Sequence, residues 1–212
     1  MILLPADFVA LDLCCGPGSI SQRLLGIAAD LDPVLLTMGQ AVLGTTAGRL
    51  RWVEVDLTGV TNLAEAIGET QVDAVLSTTA LHWLPVENLV QVYRMLGQLV
   101  RPGGVVLNGD HISFGVHMAS FQLVAERVKE RQQAAAFERN GVENWEQWWA
   151  GLAQEPGSEA LLAERKHRFD WRPQKLVAPI ADVHEAALRD AGFPQVGTIW
   201  QHMDDRVIMA VR

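Results

Sequence analysis

The sequence predicts an α/β fold: a doubly wound, mostly parallel sheet with helices on both faces, closed by one antiparallel strand. Three observations carry this. Residues 8–18, FVALDLCCGPG, form an apolar run that ends in an acid and breaks into a turn with two glycines and a proline, directly ahead of a helical segment. Such a strand, tight turn and helix start make half of a nucleotide-binding crossover. Apolar runs then alternate with helical periods as far as Asn108, which implies right-handed crossovers and a parallel sheet. The last two apolar runs, 195–200 and 206–211, are joined by five residues, too few for anything but a hairpin, so the final strand runs against the rest.

Taken in order, the first strand ends at Asp12 and the turn leads into a helix over 19–25, of about two turns unless a loop is shortened instead. Residues 27–31 form the second strand, closed by Asp30-Leu31-Asp32-Pro33. The next helix starts at Pro33, where a missing amide costs nothing, and runs to about Leu43. Residues 50–55 form the third strand, 61–67 a short helix and 72–77 the fourth strand, followed by the loop Thr78-Thr79-Ala80-Leu81-His82-Trp83. Apolar residues at Leu89, Val92, Tyr93, Leu96 and Val100 give a helical period over 86–100. Arg101-Pro102-Gly103-Gly104 stops that helix, and 105–108 form the fifth strand. The alternation then lapses: 114–139 is long and helix-prone, Asn140-Gly141 breaks it, and two more helices hold 145–149 and 158–166. An insertion at that point of an open α/β sheet lies over the ligand crevice, so residues of about 112–170 are expected to cap a pocket. A helix over 180–191 and the closing hairpin complete one domain, 1–212.

Composition narrows the partners. At 49% hydrophobic and 20% charged the chain is globular. No apolar run approaches the ~20 residues of a membrane span, and the N-terminus lacks the basic and apolar regions of a secretory signal. A net charge of −8 disfavours nucleic acid; the one basic cluster, Glu164-Arg165-Lys166-His167-Arg168, reads as a solvated helix end. Cys14 and Cys15 are adjacent, neither disulfide-forming nor in a metal-binding spacing, which suits a reduced, cytoplasmic protein without a metal. A dinucleotide site needs a third glycine after the first strand; here Asp12 and Cys14-Cys15-Gly16-Pro17-Gly18 stand instead, a pattern for a ligand that bears a cation.

With these pieces in place, the chain resembles the class I S-adenosylmethionine-dependent methyltransferases. The segments that carry the resemblance are LDLCCGPG, AADLDPVLL, VEVDL, VDAVLSTTALHWL, VYRMLGQLVRPGGVVL and LRDAGFPQVG with DDRVIMAVR, in the family's order. HWL and RPGG look most like the small-molecule group around trans-aconitate methyltransferase. The resemblance implies a Rossmann-like seven-stranded sheet of order 3-2-1-4-5-7-6 and S-adenosylmethionine as cofactor. It assigns Asp12 to the methionine amine, directly or through water, the amides near Cys14 and Gly16 to the cofactor loop, and Asp30, with Leu31 beside it, to the ribose hydroxyls. Asp56 would accept from the adenine amino group, the Leu57 amide would donate to a ring nitrogen, and Thr78 and Thr79 would line the methionine arm. Cys14 stands where the family has a glycine. Asp30 follows Gly18 by twelve residues, fewer than the family uses, and seven residues precede the first strand; both predict an open cofactor site.

Methyl transfer from a sulfonium is an in-line displacement, so positioning dominates and a base helps only hydroxyl or amine acceptors. His82 and then His111 are the candidate bases; Trp83, Asp110, Trp149 and Trp200 are candidate acceptor contacts, and Trp145 and Trp148 extend the aromatic wall. The loop after the fourth strand lacks the Asn/Asp-Pro-Pro-aromatic motif of nucleic-acid amine methylation, which leaves a small molecule with a carboxylate, hydroxyl or amine as acceptor. The alternative is a non-catalytic cofactor-binding or interaction protein. Nothing in the sequence sets the oligomeric state.

Overall fold

The computed structural model describes residues 4–139, 141–172 and 177–212; the expected break at Asn140 falls outside them. One seven-stranded sheet runs in the order β3-β2-β1-β4-β5-β7-β6. Its strands are β1 (Ala10–Leu13), β2 (Ile27–Asp30), β3 (Arg51–Glu54), β4 (Val72–Thr78), β5 (Val100–His111), β6 (Gln195–His202) and β7 (Asp205–Val211). β1 to β5 are parallel, while β7 pairs antiparallel with both β5 and β6. This is the Rossmann-like order that the resemblance implies, and all five parallel strands present their carboxyl ends to the same edge.

The helices are α1 (Ser21–Leu24), α2 (Pro33–Leu43), α3 (Leu63–Ile67), α4 (Val86–Leu99), α5 (Ala119–Gln133), α6 (Trp145–Leu152), α7 (Glu159–Arg168) and α8 (Ala181–Asp190). Their ends follow local chemistry. Pro33 opens α2 behind Asp32, whose carboxylate accepts from the Val34 and Leu35 amides. Asn62 caps α3 and Gly68, left-handed, ends it. Asn144 and Gln147 form a reciprocal capping box on α6. The apolar period of α4 becomes its buried face, with Leu89, Val92, Tyr93 and Leu96 fully enclosed.

Two local expectations change. The first helix is a single turn, because Leu25 turns out of helical geometry (φ +37°) to deliver the chain directly to β2. Residues 101–104 do more than stop α4: Val100 already pairs with Val72, and the chain bulges through Gly103 (φ +82°) before Val105 pairs with Ala74, so the turn residues are absorbed into β5. Helices α5–α7 and a π-helical turn at Ala134–Arg139 lie between β5 and α8 in sequence.

Candidate functional site

The carboxyl ends of the parallel strands open on a cavity of about 710 Å³, well inside the ~300–1,000 Å³ of small-molecule sites. The turn after β1 forms one wall. Cys14 leaves the strand at φ +58°, a region that side chains with a β-carbon avoid. The Cys15 amide donates to the Ala29 carbonyl on β2, and the Gly18 amide closes the turn on Cys15. Gly18 (φ +88°) has no room for more: a β-carbon there lies 2.8 Å from Cη2 of Trp52. Trp52 is itself tied down by its indole N–H on the Gly44 carbonyl. The loop is therefore clamped between β2 and β3.

Asp30, at the end of β2, accepts three amides: Gly16 on Oδ2 at 2.7 Å, and Leu31 and Asp32 on Oδ1 at 2.7 and 2.8 Å. Three of roughly four lone-pair directions of the carboxylate are taken, which leaves room for one further donor. Burial pushes its pKa up, against the pull of the amides. Asp56, past β3, holds the Thr58 amide and hydroxyl on Oδ1 alone; Oδ2 has no partner among the described residues. Asp12 is placed differently. It is nearly fully buried, receives the Ser21 hydroxyl at 2.6 Å, and does not reach the cavity wall. Burial raises its pKa, opposed by the Ser21 bond. Both cysteines are free thiols, and burial pushes each of them up, away from thiolate chemistry.

Beyond β4 the wall continues through Thr78, Thr79 (φ +50°), Trp83 and Leu84. His82 stands behind Trp83, with ring centroids 4.9 Å apart. Its Nδ1 meets Asp110 Oδ1 at 2.6 Å, and its amide donates to Asp110 Oδ2. A carboxylate at Nδ1 makes that nitrogen the donor, so the neutral ring keeps Nε2 as an acceptor. Asp110 also takes the His111 amide, so its oxygens are committed to His82 and His111. The His111 ring turns to Asp205 and borders a separate recess with Gln132 and His202.

The opposite wall comes from the inserted segment: Phe137, Trp145, Trp148, Arg165, Phe169, Trp171 and Arg172. Of the residues singled out in the sequence, Cys14, Gly16, Asp30, Leu31, Asp56, Leu57, Thr78, Thr79 and Trp83 meet around this one cavity. Asp12, His82, Asp110 and His111 stand behind or beside it. Trp149 is covered by the Arg165 guanidinium, 3.9 Å above its ring, and Trp200 is 54% exposed on the edge strand β6, outside the cavity.

The basic run 164–168 is not the solvated helix end expected. Arg165 and Arg168, three apart and so on one helical face, point at the end of β2. Arg165 pairs with Asp32 at 2.6 Å; Arg168 donates to the Leu31 carbonyl and pairs with Glu54 on β3. The spacing in the sequence held that signal, but only the tertiary placement of α7 supplies the partners. That helix walls the side expected to be open.

A family model described as a methyltransferase domain matches residues 10–104. No curated protein matches the chain. Among solved structures, an O-methyltransferase family protein from Burkholderia thailandensis is similar over 100% of this chain and 53% of its own, at 15% identity and a TM-score of 0.61. A possible exported protein from Bordetella parapertussis aligns over 97% of this chain and 61% of its own, also at 15% and 0.61. Magnesium protoporphyrin IX methyltransferase from Synechocystis PCC 6803 with bound SAH aligns over 97% and 74%, at 16% and 0.55. The chain thus spans a little over half the length of the first two. At these identities the likeness is one of fold.

Proposed function

We propose that this chain transfers a methyl group from S-adenosylmethionine to a small-molecule acceptor. The observation that carries the reading is the gathering of the glycine turn, Asp30, Asp56 and Thr79 from successive strand ends around one cavity, together with the methyltransferase-domain match over 10–104. The residues present fit the cofactor: Asp56 keeps an unengaged oxygen for an amino group, and Asp30 keeps one acceptor direction for a ribose hydroxyl. Asp30 takes a second hydroxyl only if the Gly16 amide lets go. Bound there, the cofactor supplies an already activated methyl group.

The protein's part is then to orient and to exclude water. The turn residues Cys14 to Pro17 and Thr78-Thr79 frame the reacting end, and Trp145 and Trp148 of α6 enclose the acceptor. The His82–Asp110 pair stands behind Trp83, off the cavity wall, so it buttresses that wall rather than touching the acceptor. The net charge of −8 and the Ser77-Thr78-Thr79-Ala80-Leu81 loop support a small acceptor over nucleic acid.

Isothermal titration with S-adenosylhomocysteine tests the reading. Saturable binding is expected, and Asp30→Asn weakens it by about 1.5–3 kcal/mol, the scale of a hydrogen bond to a charged group. No binding at millimolar ligand refutes the proposal.

A further inference from the structure

Two arginines face the cavity, and they differ in one respect. Arg165 is matched by Asp32 at 2.6 Å. Arg172 is matched by nothing among the described residues: its guanidinium makes no ion pair, and its Nε is buried without a hydrogen-bond partner. The guanidinium lies 3.9 Å from the centre of the Phe169 ring and 5.0 Å from that of Trp83, and Arg172 lines the cavity. A buried guanidinium N–H without an acceptor is costly, and the planar fork matches a carboxylate with two parallel bonds.

We infer that Arg172 receives a carboxylate inside the cavity. The remaining charges on the walls favour a monoanion over phosphate, because Asp30, Asp32, Asp56 and Glu143 also line the space. Among the described residues the wall offers one unpaired cation, which matches a single carboxylate, while the four acids repel a dianion. Burial, with Arg165 nearby, pushes the Arg172 pKa down against the pull of Asp32 and Asp30, and a bound carboxylate adds to that pull. Trp83, Trp145 and Trp148 then accommodate an apolar body attached to the acid. Which molecule brings the carboxylate rests on the methyl-transfer reading: the acceptor, or the amino-acid end of the cofactor. The subsite itself does not.

The tryptophans on the wall make intrinsic fluorescence the readout. 3-Phenylpropanoate and its amide are titrated into the wild type, Arg172→Gln and Arg172→Lys, each checked for unchanged circular dichroism. The wild type is expected to bind the acid at least about tenfold tighter than the amide, the scale of a hydrogen-bonded charge. Arg172→Gln removes that gap and leaves the amide unchanged, and Arg172→Lys, with a charge but no fork, restores part of it. An acid preference that is absent from the wild type, or intact in Arg172→Gln, overturns the inference. S-Adenosylhomocysteine and 5′-methylthioadenosine, which lacks the carboxylate, separate the sources. A loss confined to S-adenosylhomocysteine in Arg172→Gln assigns the site to the cofactor, and unchanged binding of both assigns it to the acceptor. If neither nucleoside binds the wild type, the methyl-transfer reading fails while the phenylpropanoate comparison still decides the subsite.

Discussion

His184 on α8 is fully enclosed, and its Nδ1 meets the hydroxyl of Tyr93 on α4 at 2.7 Å. Burial lowers its pKa from 6.5 to about 4, with Asp110 pulling the other way and His82 adding to the drop. Between those values the unfolded chain binds the proton and the folded one refuses it, so stability falls as the pH is lowered from about 6.5 and levels off below about 4. The full loss is about 3 kcal/mol. Urea denaturation at pH 7.0 and 4.5 is expected to show most of it in the wild type and a flatter dependence in His184→Gln; equal slopes contradict the assignment. Single residues also mark where sequence reasoning reaches and stops. Asp30 and Asp56 were legible because a strand end followed by an acid is a local pattern. The Ser21–Asp12 bond was not, although the two are nine residues apart, because it depends on how tightly the turn folds back. Arg172 was not either, since an arginine shows its lack of partners only once the fold has placed everything else.

Among the elements, α4 and α8 meet through Gly97. A β-carbon there lies 2.0 Å from the Ala191 carbonyl oxygen, a backbone atom that cannot step aside. Gly97→Ala gains roughly 1 kcal/mol of helix propensity but incurs about 1–3 kcal/mol of overpacking. At such a distance the upper end applies, and a net loss of about 1–2 kcal/mol is expected in urea denaturation. A variant as stable as the wild type shows that the two helices part freely. Periodicity revealed α4 and its buried face in full, because a helix this long repeats its signal. It revealed less of α1 and β5. The first is one turn long, too short for a period, and the second passes through Pro102-Gly103, residues that locally signal a stop and are overruled by pairing with β4.

Across the whole molecule, the insertion after β5 is bound to the far side of the sheet by Arg165 and Arg168. The Asp32 side chain is only 4% exposed, while that of Arg165 is 25% exposed. Removing the arginine leaves an almost buried carboxylate with its two helix-capping amides and no ion-pair partner in contact. Breaking a buried pair costs about 3–5 kcal/mol, and the partial exposure of Arg165 scales this to about 1–3 kcal/mol. Arg165→Met is therefore expected to lower stability by that amount and to speed hydrogen exchange in α7 and at the start of α2 more than in α4. Unchanged exchange in α7 means that other contacts hold it. The parallel sheet and its antiparallel last strand were legible from strand alternation and the terminal hairpin, and its order from the family resemblance. The reach of the insertion to β2 and β3 was not, since the contacts join residues more than a hundred positions apart.

That reach has a kinetic side. α7 touches the ends of β2 and β3, where the nucleoside is proposed to bind, and the tryptophans of α6, seven residues earlier in the chain, wall the acceptor half of the same cavity. Swinging the segment away uncovers both compartments together. On the methyl-transfer reading, departure of the spent nucleoside and admission of the next acceptor would then share one barrier, to which the ion pairs at Asp32 and Glu54 contribute.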